Sequence, residues 1–135
     1  MSYSSLIRRV IERTGRFECR ASGHSMLPTI RGGDILEVVP VTSKEMRVGQ
    51  ILLVERGTHS LVCHRLVMRS GDWLTLVGDA CLLLDPPTRV ENVLGRVIAI
   101  HRNGIRHPVD ERLPFPHTAD PNVPLGTVEY LHVTN

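Results

Sequence analysis

Lysine is almost absent from this 135-residue chain: of its 16 basic residues only Lys44 is a lysine, and the rest are arginines. A nucleophile activated by a desolvated lysine would therefore have a single candidate base. Lys44 sits in Thr42-Ser43-Lys44-Glu45-Met46-Arg47, a polar stretch flanked by charge, where burial strong enough to neutralise an ammonium is not expected. Cysteine is scarce as well. Cys19, Cys63 and Cys81 are odd in number and lack CxxC spacing, which argues against a disulfide framework or a thiolate zinc site and makes a reducing cytosol the default compartment. Long apolar runs are missing: Ile51-Leu52-Leu53-Val54 and Leu82-Leu83-Leu84 fall far short of the roughly 20 residues of a spanning helix. The N-terminus also lacks the apolar core of a secretion signal, so the expectation is a soluble, cytoplasmic protein. A net charge of +2 is too small to suggest a nucleic-acid partner. No GxGxxG or GKS pattern accompanies Gly32-Gly33-Asp34, which reads as a turn and not a phosphate cradle. The 7 histidines show no HxxxH or similar ligand spacing, so neither a metal nor another cofactor is expected.

What remains is ordinary globular material, 41% hydrophobic and 22% charged, enough for one domain with a real core. Ser4 to Thr14 places Leu6, Ile7, Val10 and Ile11 on one helical face, with Gly15 as the C-terminal cap. This helix is expected to pack on the domain or on a partner copy, with a basic peripheral membrane contact as the alternative. From Phe17 the pattern changes to short β-type runs: Phe17 to Ala21, Ile35 to Val41, Gln50 to Arg56, Leu61 to Met68, Trp73 to Val77 and Val93 to His101. Asn103-Gly104 predicts a hairpin that returns Ile105 to Val109 against the strand before it. The fold class is therefore mainly β, a folded-over antiparallel sheet or barrel. It divides into an N-terminal helix over 1–15, the β domain over 16–110 and a tail over 111–135. The tail opens with four prolines in sixteen residues and ends in Thr127 to Val133, which alternates like an edge strand of this domain or of a second copy.

The candidate nucleophile is Ser25, in Gly23-His24-Ser25-Met26-Leu27-Pro28-Thr29. On its own it could be an ordinary turn serine, because a serine attacks nothing unless a base takes its proton. His64 is the best-placed base. In Leu61-Val62-Cys63-His64-Arg65-Leu66-Val67 strand alternation sets Val62, His64 and Leu66 on one face and Cys63, Arg65 and Val67 on the other. A polar ring between apolar neighbours needs a partner, and Gly78-Asp79 and Asp85 supply two carboxylates able to fix its tautomer. Arg65, on the opposite face, is the natural structural ion-pair partner.

The order Gly23-His24-Ser25-Met26-Leu27-Pro28-Thr29, Gly33-Asp34, Val48-Gly49-Gln50, His64-Arg65, Gly78-Asp79 and Asp85 resembles the signal peptidase and SOS-repressor peptidase superfamily. It looks like the histidine form of the S24/S26-like serine peptidases, as in endoplasmic-reticulum and archaeal signal peptidases. The resemblance covers roughly Phe17 to Ile100. It implies Ser25 as nucleophile, His64 as general base and Asp85 as the orienting carboxylate, with Asp79 a nearby structural or electrostatic partner. Which aspartate touches the ring stays open. Oxyanion and substrate contacts would come from Ser25, Gly23 and Met26, the last more as a residue shaping the turn. The implied activity is a serine endopeptidase that takes an extended peptide or protein substrate and cuts beside small residues, as in leader processing. The alternative is a non-catalytic peptide-binding or dimerisation module on the same fold. Two departures stand out. Signal peptidases commonly carry a serine where this chain has Gly23, and only 24 residues precede Ser25, too few for repressor-style self-cleavage or a helix-turn-helix.

Overall fold

Among the described residues the chain forms one α-helix and nine strands, most of them short apolar runs punctuated by Gly, Pro and Asp: α1 (Tyr3–Thr14), β1 (Phe17–Ser22), β2 (Ile35–Val39), β3 (Ile51–Glu55), β4 (Leu61–Ser70), β5 (Trp73–Val77), β6 (Thr88–Arg89), β7 (Val93–Arg102), β8 (Ile105–Pro108) and β9 (His132–Thr134). The computed structural model describes residues 2–57, 60–113 and 132–134, the last three through their backbone. All strand pairings among these residues are antiparallel, in the order β3-β7-β2-β1-β9-β4-β5-β6, with β8 beside β7. Since β3 also pairs with β4, the hydrogen-bonded path closes on itself as a barrel, and β5 and β6 extend from it.

The two faces of the central strands explain why their sequences are continuously apolar. In β3, Ile51 and Leu53 enter one core cluster with Met26, Ile30, Leu36, Val38 and Val97. Leu52 and Val54 enter a second with Val62, Leu66, Leu74 and Leu76. Successive side chains point to opposite faces, so a strand buried on both sides shows no alternation. In β4, Cys63 belongs to the first cluster and Val62 and Leu66 to the second, which places His64 on the second face and Arg65 on the first.

Helix α1 is capped by Ser2, whose hydroxyl accepts from the Ser5 N–H at 3.2 Å, and ends where the Gly15 N–H bonds the Ile11 carbonyl at 2.8 Å. Ile7 and Ile11, one turn apart, join the first cluster, while the Arg8 guanidinium donates to the carbonyls of Val93 and Glu91 at 3.2 and 2.5 Å. The helix is thus docked on its own barrel. Its buried stripe is narrower than the sequence pattern suggests: Leu6 is 49% exposed and Ser4 is buried in its place.

The Asn103-Gly104 turn forms as expected, with φ of 52° and 75°, and pairs Arg102 with Ile105. Strand β2 stops at Val39, before Pro40, two residues earlier than expected, because proline cannot donate to a ladder. The C-terminal run departs further. His132–Thr134 is not at an edge but between β1 and β4, and the remainder of that run and the proline-rich stretch beyond residue 113 lie outside the described residues.

Candidate active site

Ser25 follows β1 by three residues in a compact turn held by main-chain bonds: Leu27 N–H to His24 O at 3.2 Å, Ile30 N–H to Met26 O at 2.9 Å, and Gly33 N–H to Ala21 O at 2.8 Å. Gly23 has φ of 89°, a left-handed conformation that disfavours any side chain, so the turn accounts for glycine at this position. Met26 is fully buried, and its Sδ accepts from the Asp79 N–H at 3.3 Å. It shapes the serine turn from inside the core. The Ser25 carbonyl accepts from the Ala80 N–H at 2.9 Å, so the serine turn is clamped to the turn after β5 at two points.

His64 stands on β4 opposite Leu52 of β3 and is completely buried. Its Nε2 lies 3.0 Å from Ser25 Oγ, and its Nδ1 lies 2.5 Å from Asp85 Oδ2. Asp85 reaches this position because its loop leaves β5 at Val77 and returns to it, the Asp85 N–H bonding the Leu76 carbonyl at 2.8 Å. A carboxylate only accepts hydrogen bonds, so Nδ1 donates to Asp85 and Nε2 is left to accept from the serine hydroxyl. Ser25 is 1% exposed, so the site is closed in this state.

Asp79, the other carboxylate expected in the catalytic set, does not meet the imidazole. Its Oδ1 and Oδ2 each accept from Arg65, from Nε and Nη2 at 2.8 Å, and Oδ2 also accepts from Thr29 Oγ1 at 2.5 Å. Arg65 is buried, and its Nη1 donates to the carbonyls of Gly49 and Asp110 at 2.8 Å each. The structural ion pair expected for Arg65 is therefore present, with Asp79 as its partner.

Three further side chains complete the surroundings. Thr29 links the serine turn to Asp79. Arg56 Nη2 lies 3.4 Å from Asp85 Oδ2 and 3.2 Å from Thr88 Oγ1. Nothing in the spacing of Arg56 or Thr88 marks them, since both lie on segments without regular alternation; Thr29 was visible only as part of the serine stretch. Two of the three cysteines are shielded by burial. Burial pushes the Cys63 thiol, next to His64, well above its usual range, and pushes Cys19 up to about 12. Lys44 is exposed in a short 3-10 turn, Ser43–Glu45. Among the described residues there is no group of His, Cys, Asp or Glu suited to hold a metal, and no helix long and apolar enough to cross a membrane.

A family model described as Peptidase S24-like matches residues 3–79, a span that includes Ser25 and His64 and ends at Asp79. Comparisons with curated proteins and with solved structures give no match. Because the family match takes in residues 3–79 of a 135-residue chain, more than half of it, the protein belongs to the Peptidase S24-like family.

Proposed function

We propose that the protein is a serine endopeptidase that cuts a peptide bond beside small residues by acyl-enzyme chemistry, in the manner of leader processing. The observation that carries this reading is the line of contacts from Ser25 Oγ to His64 Nε2 at 3.0 Å and from His64 Nδ1 to Asp85 Oδ2 at 2.5 Å. In the proposed mechanism Nε2 takes the serine proton as the oxygen attacks the substrate carbonyl carbon, and then delivers that proton to the leaving amine. A water deprotonated by the same nitrogen releases the acyl group. Asp85 holds the tautomer and offsets the positive charge on the ring at each proton transfer. The Ser25 main-chain N–H is the donor best placed in sequence for the oxyanion. The missing hydroxyl at Gly23 would cost a catalyst on the order of 3 kcal/mol unless another donor replaces it.

The closure of Ser25, at 1% exposure, favours a second reading in which the same fold binds a peptide or a partner copy without cutting it. One experiment separates the two: incubation with a peptide library containing Ala and Gly at varied positions, read by mass spectrometry. The peptidase reading expects cleavage that is abolished by Ser25→Ala and by His64→Ala and is untouched by Lys44→Ala. Peptide capture without cleavage supports the binding module, and loss of activity in Lys44→Ala overturns the histidine assignment.

A further inference from the structure

Without β9 the barrel would be open between β1 and β4, the two strands that carry the chain to Ser25 and His64. Three residues bridge the gap through their backbone: Thr134 opposite Arg20, Val133 opposite Ala21, and His132 opposite both Ser22 and Val62. Ser22 is three residues before Ser25, and Val62 two before His64. We propose that in the free protein the chain's own C-terminal strand fills this slot, the place an extended substrate would take, as a built-in competitor. The inference rests on the peptidase reading above and goes beyond it by naming what occupies the site before substrate arrives.

Three physical points support it. Edge strands present unpaired N–H and C=O groups that accept any added strand by main-chain bonds alone, so the slot does not depend on the side chains of its occupant. Among the described residues the ladder of β9 spans three residues, and a peptide strand making the same main-chain bonds can take its place. Covalent tethering makes occupation intramolecular, so even a weak strand holds the slot at an effective concentration set by its linker.

The test uses the full chain and a fluorophosphonate probe that labels activated serines, with Ser25 labelling read by intact mass. Val133→Pro removes one N–H from the β9 ladder and clashes with regular pairing. The expected result is Ser25 labelling about 10-fold faster than in the parent, a free-energy difference of about 1.4 kcal/mol. A synthetic peptide TVEYLHVTN added in trans should then slow it again. A second variant that ends at residue 126 guards against a proline effect on folding, and circular dichroism checks that both variants stay folded. Equal Ser25-dependent rates in the parent and both variants overturn the competitor while leaving the peptidase reading intact. No Ser25-dependent labelling in any of them overturns both. A parent rate that rises on dilution identifies a second copy as the occupant and overturns occupation within one chain.

Discussion

Replacing Gly78 with alanine tests how closely the position of the serine is fixed from outside its own turn. Gly78 begins the turn after β5 and faces the Ser25 main chain. A Cβ there would lie 3.1 Å from the Ser25 carbonyl carbon and 2.7 Å from Cys81 Sγ, with the Ser25 carbonyl oxygen nearer still. Carbon atoms pack best at about 3.5–4.0 Å, so relief requires the Ser25 main chain to retreat by roughly 0.5–1 Å. Cys81 is partly exposed and can turn aside, but the serine carbonyl is tied to the Ala80 N–H at 2.9 Å and moves only with its turn. A misplacement of about 1 Å near reacting atoms costs on the order of 100-fold in rate, because the near-attack geometry is lost. Overpacking of this kind costs about 1–3 kcal/mol of stability, which lowers Tm without unfolding a typical domain. The assay is the initial rate of peptide cleavage and of fluorophosphonate labelling, taken well below the Tm of the variant so that lost fold does not pass for lost geometry. A folded Gly78→Ala protein as fast as the parent would refute the claim that this contact sets the nucleophile.

The two aspartates should separate cleanly when each is altered. Asp79→Ala leaves Arg65 charged and buried without its carboxylate, an effect on the order of 3–5 kcal/mol measurable by urea unfolding, whereas Asp85→Asn should cost about 10⁴-fold in cleavage rate by favouring the wrong tautomer. Acid unfolding offers a check far from the site. The Glu37 carboxyl is held below its usual range mainly by its hydrogen bonds from Arg106, at 3.1 and 2.7 Å, against an opposing effect of burial, with the charges of Arg106 and Arg16 helping. A folded-state value below the unfolded one gives stability that is present above about pH 4.3 and is lost as pH falls through the folded value. Tm should therefore fall less steeply below about pH 4 in Glu37→Gln than in the parent, and parallel Tm curves would contradict this assignment.

Much of the candidate site could be read from residue types and their spacing. His64 stood out among seven histidines because strand alternation placed it between Val62 and Leu66, and Ser25 because its stretch from Gly23 to Thr29 carries the family resemblance. The choice between Asp79 and Asp85 came only from the family resemblance and not from local pattern, since it depends on where the loop after β5 comes back, through a main-chain bond from Asp85 to Leu76. Strand β6 was equally hidden. Two residues following Pro86-Pro87 have no period, and they pair only because Trp73 and Leu74 offer an open edge, with the Arg89 guanidinium 4.9 Å from the Trp73 ring centre. The helix face was misjudged at Leu6 for a related reason: the apolar pattern states which residues prefer burial, but the barrel surface has room for a stripe defined by Ile7 and Ile11.

The near-absence of lysine bears on more than the base. Arg65 places Nε and Nη2 on the two oxygens of Asp79 while Nη1 spans the carbonyls of Gly49 and Asp110, a set of contacts that needs a rigid fork of donors. An ammonium is a single point on a flexible stem, and it could not hold both carboxylate oxygens and two separate backbone groups from one position. With Asp79 engaged in this way, its charge is matched on the first face of β4 and does not compete for the imidazole on the second. Asp85 meets its own arginine only at the longer distance of 3.4 Å, which leaves Oδ2 directed at His64 at 2.5 Å. Two neighbouring aspartates are thus kept apart in role by two arginines at different reach. Arg65 thus holds Asp79 away from the imidazole, and the carboxylate that meets His64 is Asp85.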